Sequence, residues 1–348
     1  MEGAIRVGLV GYGFAGRTFH APLISATPGL RLAAIATSNP EQAHADWPEA
    51  STVSAPEALL ARGDIELVVI ATPNHTHAPL ACAALDAGAH VVVDKPFTVT
   101  LEQAHSLEEQ AAQVRRVLSV FHNRRWDSDF LTLRRLVAAG ELGELALVES
   151  RFDRYRPEVR PRWREQAGPG SGLWYDLGPH LLDQVLVLFG RPDALWADIA
   201  AQRPAAQTDD YFHAVLRYGR LRVVLSASML AVAPGPRLAA HGTRGSYTKH
   251  GLDPQEDALK AGHYPPAANW GHDPRDGELT LWHDGAPQVR PLPTLPGDYP
   301  AYYAGLRDAI RGQGPVPVTA AEAIAVMELI ALGLRSSAER RELAIGTA

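Results

Sequence analysis

The sequence predicts an α/β chain in two parts. The first is an N-terminal doubly wound parallel sheet. The second is an α+β part built on a large open, mostly antiparallel sheet. Three observations carry this. An apolar run at residues 5–10 enters a glycine-rich turn at once. Apolar runs then alternate with helical stretches up to residue 121, the pattern of a parallel sheet with crossover helices. Beyond that point, runs of apolar and alternating residues follow one another, two of them at hairpin spacing. A length of 348 residues suits two domains, and the change of character at residues 122–126 divides them as 1–122 and 123–348.

The totals exclude several classes. A net charge of −6 with no basic run argues against nucleic acid or an anionic membrane as partner. No apolar stretch is long enough to span a membrane and no charged-then-apolar signal opens the chain, so a cytoplasmic location is expected. The single cysteine, Cys82, cannot close an internal disulfide. Its Ala/Leu-rich helical surroundings mark it as a small core residue.

In chain order, residues 5–10 read as a buried strand running into Gly11-Tyr12-Gly13-Phe14-Ala15-Gly16, with a helical segment at 17–27. A G-x-G-x-x-G between strand and helix is the context of a dinucleotide-binding turn. The first glycine permits the turn, the second lets backbone approach a pyrophosphate, and the third lets helix and strand pack closely. The next strand, 30–36, ends at Thr37-Ser38-Asn39, where an NAD-binding chain places an acid on the ribose hydroxyl. No acid is present. Hydroxyls and an amide accept a 2′-phosphate without repulsion, with Arg17 as a candidate helper, which favours NADP, with NAD as the alternative.

The apolar run 65–71 ends at Thr72-Pro73-Asn74-His75-Thr76-His77. Ligands of doubly wound sheets bind at the carboxyl ends of strands, so this loop should border the cofactor. A helix at 78–87 stops at Gly88, and strand 90–93 delivers Asp94-Lys95-Pro96, again at a carboxyl end. Lys95 is then either aimed inward or a surface partner of Asp94. His75 and His77 lack a nearby thiol or carboxylate, so no metal site is expected. Thr100 and Gln103 form a capping box for the next helix, and strand 117–121 closes this half.

In the second half, helix 128–139 stops at Gly140, and strands are expected near 146–155, 195–202, 211–218, 221–229, 237–241 and 278–282. Gly219-Arg220 makes the third and fourth a hairpin. The sheet's second face needs cover, which implies a homodimer or homotetramer through it. A loop carrying Arg154, Tyr155, Arg156, Arg160, Arg162, Trp163 and Arg164 reads equally as a lid with donors for substrate hydroxyls or cofactor phosphate and as a subunit contact or solvated loop. The irregular stretch 265–277 is long enough to suggest a functional segment. Residues 291–300 form a proline-rich connector before helices at 299–311 and 319–334, the latter with a Thr319/Glu322 capping box.

The most informative stretch is GPGSGLWYDLGPHLLDQVLVLFG, residues 168–190. After the glycines, seventeen residues have helical periodicity and stop at Gly190. Leu177, Leu181, Leu182, Val185, Leu186, Leu188 and Phe189 fill one side. Asp176, His180, Asp183 and Gln184 form a narrow stripe on the other. Asp176 and His180, four apart, are neighbours. The stripe lacks the Lys, Arg and Glu of a wet face. Gly178 and Pro179 sit inside the helix at costs of about 1 and 3 kcal/mol, so a partly buried helix lining a cavity is expected.

Taken together, Gly11–Gly16, Thr72-Pro73 with His77, Asp94-Lys95-Pro96, and Asp176 with His180 and Asp183 resemble the Gfo/Idh/MocA oxidoreductase family over essentially the whole chain. The strings GYGFAGRTFHAPLI, SVFHNRRWDSDFLTL, RYRPEVRPRWRE and YDLGPHLLDQ are similar to its NADP-dependent scyllo-inositol dehydrogenase branch. The resemblance implies a Rossmann domain followed by an open-sheet domain. It also implies a catalytic trio of Lys95, Asp176 and His180. Chemistry suggests the roles: histidine, with a reference pKa near 6.5, suits the base, Asp176 orients it, and Lys95 donates to the alcohol oxygen. Asn74, Asp94, Asn123 and Arg124 join the cofactor residues. Arg124, Tyr155 and Trp163 join Lys95, Asp176 and His180 at the substrate, a cyclic polyol or sugar. The chain departs from the family at Asp94, where glutamate is usual, and from close relatives at Asn39, where arginine is usual. Other readings are an NAD-retaining enzyme that cleaves glycosidic bonds through transient oxidation, and a nucleotide-sensing regulator without activity.

Overall fold

In the structure, a computed structural model that describes residues 3–346, the N-terminal strands are β1 (Ile5–Val10), β2 (Leu30–Ala36), β3 (Ser51–Val53), β4 (Leu67–Ile70), β5 (His90–Val93) and β6 (Leu118–Val120). They form one parallel sheet in the order β3-β2-β1-β4-β5-β6, the doubly wound arrangement expected. Every residue of β4 is buried, because a central parallel strand is covered on both faces. The helices are α1 (Ala21–Ala26), entered through a π-helical turn at Gly16–His20, α2 (Pro40–Asp46), α3 (Pro56–Leu60), α4 (His77–Asp86) and α5 (Leu101–Gln113). The Thr100/Gln103 capping box is present in both directions. Strand β3 and helices α2 and α3 were not expected; each is seven residues or fewer, too short for periodicity to stand out. Cys82 corrects the expectation of a core residue: it lies on the exposed side of α4.

This sheet belongs to a unit that runs to Trp126 and takes in Pro254–Trp270 and Asp298–Ile324; the second unit is Asp127–Asp253, Gly271–Gly297 and the chain from Ala325 on. The units are therefore discontinuous, where the sequence suggested contiguous halves at 1–122 and 123–348. Buried aromatic packing brings the late segments back. On the helix Pro300–Ile310, Tyr302 packs edge-on to Phe121 at 4.9 Å between ring centroids, and its hydroxyl lies 2.8 Å from Ser119 Oγ.

The second unit holds α6 (Ser128–Ala138), β7 (Leu145–Arg151), α7 (Leu173–Phe189), β8 (Ala194–Ala200), β9 (Tyr211–Tyr218), β10 (Leu221–Ser228), β11 (Leu238–Gly242), β12 (Gly245–Lys249), β13 (Gly277–His283), β14 (Ala286–Leu292) and β15 (Leu343–Ala344). Its sheet runs β14-β13-β12-β11-β7-β10-β9-β8-β15, and β7–β10 is its parallel pair. The β9–β10 hairpin closes at Gly219-Arg220 as expected, with Tyr218 paired to Leu221. Phe212, Ala214 and Leu216 on β9, with Val223, Leu225 and Ala227 on β10, are buried where α7 packs on these strands. Their alternates Tyr211, His213, Val215 and Val224 stay half-buried on the other face. β14 replaces part of the expected proline-rich connector. It is an edge strand, where Pro287 and Pro291 are tolerated. In the 265–277 stretch, buried Asp273 pairs with the wholly buried Lys249 ammonium of β12 at 2.8 Å, so that part of the stretch is structural.

Candidate active site

At the glycine turn, the three glycines divide their tasks as the motif requires. Gly11 has φ +97°, and a Cβ there would lie 2.5 Å from the Ala71 carbonyl oxygen. A Cβ on Gly16 would overlap the Gly11 carbonyl, whereas one on Gly13 meets nothing within 4 Å. The turn is thus tight at its first and third positions and open at its second, where a dinucleotide phosphate is accommodated. Tyr12 Oη donates to Asp46 Oδ2 at 2.9 Å, and Arg17 Nε donates to the same oxygen at 2.9 Å. Asp46 ends α2, so the turn is tied to the helix after β2.

Beyond β2, Thr37 is buried and its Oγ1 accepts the Asn39 N–H at 3.0 Å. Asn39 Oδ1 in turn caps α2 by accepting from Gln42 N. Ser38 is exposed. Asn39, itself exposed, therefore shapes the loop, and Ser38 faces solvent beside it.

The loops after β4 and β5 are joined by His77. This ring is buried, with Nδ1 2.9 Å from Pro96 O and Nε2 2.9 Å from Thr72 O. Burial pushes the ring's pKa down, opposed by Asp94 and these carbonyls. Asn74 is also buried. The Asp94 carboxylate accepts the Lys95 backbone N–H at 2.9 Å. Burial by itself would raise this carboxyl, but His20, Lys95 and His77 outweigh it and hold the group below its usual value. In the short helical turn Asn123–Trp126, Asn123 and Arg124 are buried, and Arg124 Nη2 donates to Glu256 Oε2 at 2.7 Å. Burial raises the Glu256 carboxyl, yet Arg124 and Lys260 together hold it at about 2.

In the second unit, α7 spans the seventeen residues expected. Its stripe is mostly buried: His180, Asp183 and Gln184 are buried, and Asp176 is partly exposed. Gln184 Oε1 accepts from Arg237 Nη2 at 3.1 Å, and Arg237 also pairs with Asp129 at 3.2 Å. The stripe thus meets protein at that end. Asp176 lies 3.5 Å from Arg164 Nε. Gly178 is explained by packing: a Cβ there would be 3.0 Å from the Trp174 ring and 3.1 Å from Ile330.

The arginine-rich loop is anchored inward. Buried Arg203 donates to Asp210 Oδ2 at 2.7 Å and to Glu165 Oε2 at 3.0 Å, and Arg162 donates to Glu165 Oε1 at 2.7 Å. Arg164 lies over the Trp163 ring at 4.4 Å, whereas Tyr155 is exposed. Sequence reasoning missed His20, Asp46 and Arg203 as partners of these groups. The string FH after the glycine turn marked His20 as present but gave no sign of what it touches.

Of the expected residues, Lys95, Asp94 and His77 gather at the ends of β4 and β5, and Asp176 and His180 share one face of α7. Residues 5–122 match the family domain described as "Oxidoreductase family, NAD-binding Rossmann fold", and 134–345 match "Oxidoreductase family, C-terminal alpha/beta domain". The chain is 58% identical over 345 residues to the uncharacterized oxidoreductase YdgJ of Escherichia coli, covering 99% of this chain and 100% of that one. It is 41% identical over 341 residues to the scyllo-inositol 2-dehydrogenase (NADP(+)) IolW of Bacillus subtilis, covering 97% and 95%. Among solved structures, the putative oxidoreductase YPO2259 of Yersinia pestis superposes with a TM-score of 0.96 at 58% identity, over 100% of this chain and 99% of that one. The chain belongs to the Gfo/Idh/MocA oxidoreductase family and is an NAD(P)-dependent dehydrogenase.

Proposed function

We propose that the protein is an NADP-dependent dehydrogenase of a secondary hydroxyl on a cyclic polyol or sugar, of the inositol class. The observation that carries the reading is α7, which presents buried His180 one turn from an Asp176 carboxylate in a chain whose nucleotide sheet delivers Lys95 at the end of β5. A dehydrogenase of this class must take a proton from the alcohol oxygen. Histidine, with a reference pKa near 6.5, suits that task at neutral pH. Asp176 stabilises the ring in its protonated state, and Lys95 donates to the reacting oxygen. Bound NADP supplies the hydride acceptor. Gly11–Gly16 would hold its pyrophosphate, and the acid-free loop Thr37-Ser38-Asn39 with Arg17 would receive the 2′-phosphate. The NADP dependence printed in the name of the Bacillus relative supports the cofactor preference.

A panel of inositols, aldoses and ketoses assayed at 340 nm with NADP and with NAD tests the reading. Turnover of a cyclic polyol at least about tenfold better with NADP, in kcat/KM, supports it. Turnover of none of the panel, or preference for NAD, overturns it. Sugar release without net absorbance change would select the glycoside-cleaving alternative. We further propose that the half-buried sheet face bearing Tyr211, His213 and Val215 pairs copies of the chain; a monomer in solution by light scattering would refute this.

A further inference from the structure

Beside Asp94 lies a buried polar line, His20 and Tyr303, to which no cofactor or substrate role has been given. His20, at the end of the π-helical turn, is wholly buried. Its Nδ1 lies 2.6 Å from Tyr303 Oη. Its Nε2 has no hydrogen-bond partner among the described residues, and Asp94 Oδ1 lies 3.9 Å from it. Phe121 packs against the ring at 4.4 Å between centroids. The charged and titratable groups around this line are Tyr303 and Tyr302 from the helix Pro300–Ile310, Asp94 and Lys95 after β5, and His77 at the start of α4.

Tyr303 is wholly buried, which drives its phenol well above the usual value and keeps it neutral. A His20 ring carrying one proton has two arrangements against Tyr303. If the ring donates through Nδ1 to Tyr303, its Nε2 lone pair faces the Asp94 carboxylate, and two acceptors oppose each other in a buried site. If Tyr303 donates to Nδ1, the ring proton sits on Nε2 and faces the carboxylate. The second is favoured electrostatically, because a buried anion needs donors around it.

We propose that His20, its tautomer set by Tyr303, is a positioning residue that presents an N–H toward Asp94 and so maintains an anion beside Lys95. The role given to that anion, favouring the ammonium form of Lys95, rests on the reading of Lys95 as donor to the substrate oxygen. The electrostatic claim itself does not need turnover. The same geometry gives the chain's departure at Asp94 a physical setting: the shorter acid stops at 3.9 Å from His20, beyond hydrogen-bond distance.

The test reads Asp94 through its neighbour. The protein has three lysines, Lys95, Lys249 and Lys260, so isotope-labelled reductive methylation gives a simple methyl spectrum in which Lys95→Arg assigns the Lys95 signal. In the wild type that signal is expected to show no carboxylate inflection above about pH 5. In His20→Phe, which keeps an aromatic ring against Phe121 but removes the N–H, the inflection is expected to move up by about one pH unit or more. His20→Gln, whose amide can restore a donor, returns it towards the wild-type position, and Tyr303→Phe moves it part of the way. Circular dichroism and NADPH binding establish that each variant is folded. A Lys95 titration unchanged in folded His20→Phe overturns the proposal. Should that variant fail to fold, an unchanged titration in Tyr303→Phe does so. If the carboxylate shifts as expected while the polyol panel shows no turnover, the network stands and the reading of Lys95's task falls.

Discussion

Arg164 Nε stands 3.5 Å from Asp176 Oδ1, which sets a cation from the arginine-rich loop beside the carboxylate proposed to support His180. Arg164 is further fixed by its place over Trp163 and by its carbonyl, which accepts the Gly172 N–H at 3.0 Å. Replacing it leaves Asp176 less constrained. For Arg164→Ala we expect kcat to fall by roughly three- to tenfold, equivalent to about 0.7–1.4 kcal/mol, with NADP affinity unchanged. Arg164→Lys should recover part of the loss. Steady-state kinetics on the best polyol of the panel check this, and an effect confined to NADP affinity would refute it.

His180→Ala removes the proposed base. General acid–base help is worth roughly 10²–10⁴ in rate, so turnover should fall on that scale while NADPH binding, measured by fluorescence, persists. Turnover within about threefold of wild type would mean that another group takes the proton.

Ser38 is exposed in the loop after β2, and its neighbours Thr37 and Asn39 are engaged in holding that loop. Ser38→Asp places an anion where a 2′-phosphate would lie and where a ribose hydroxyl would donate. The ratio of kcat/KM for NADP to that for NAD should drop by at least about tenfold. An unchanged ratio would place the 2′-phosphate elsewhere.

Gly178→Ala sets two effects against each other. Alanine gains about 1 kcal/mol of helix propensity. Its methyl, however, would sit 3.0 Å from a Trp174 ring atom and 3.1 Å from Ile330. Trp174 is wholly buried and donates from Nε1 to the Ile330 carbonyl at 3.0 Å, so it cannot retreat. Overpacking of this kind costs about 1–3 kcal/mol, and net destabilisation of about 1 kcal/mol is expected in urea unfolding. A stabilised variant would show that Trp174 has room to move.

His90 gives a pH dependence. Burial and then Arg116 push its ring down to about 4, against the pull of Glu66, and its Nδ1 accepts the Val117 N–H at 2.9 Å. The unfolded ring binds a proton near pH 6.5 and the folded ring resists it. The contribution to stability is therefore complete above about pH 6.5 and is lost as pH falls from there towards 4. His90→Asn keeps an acceptor without a titration. Wild type should lose about 1–2 kcal/mol more than this variant between pH 7.5 and pH 4, the full shift being reduced by solvent screening at this half-buried ring. Parallel stability curves would contradict the assignment.

Much of this was legible because it is local. The β9–β10 hairpin follows from strand runs separated by two turn residues, and the α5 capping box from Thr100 and Gln103 three apart. The stripe of α7 follows from helical spacing. What was not legible has identifiable causes. Strand β12, GSYTK, reads as polar because its buried lysine is neutralised by Asp273, twenty-four residues away. The last two residues of β14 read as the start of a proline-rich connector, because a proline such as Pro291 suits a strand at an edge. Cys82 sits on an apolar-looking helix, yet the face it occupies is not the one packed against the sheet. The polar stripe on α7 was expected to line a cavity, but Gln184 is engaged by Arg237.

By itself, the sequence determined the longer strands and helices, where the nucleotide turn lies, and that Asp176 and His180 are neighbours, because these follow from steric rules and periodicities within a few residues. Tertiary structure decided what holds the start of α7: its first turn is capped by Asp209, whose Oδ2 accepts the Trp174 N–H at 2.6 Å from thirty-five residues away. It also decided that Arg17 and Tyr12 converge on Asp46, and that His20 meets Tyr303 across 283 residues. Such contacts depend on how buried surfaces pack, and local propensity carries no record of a partner that distant.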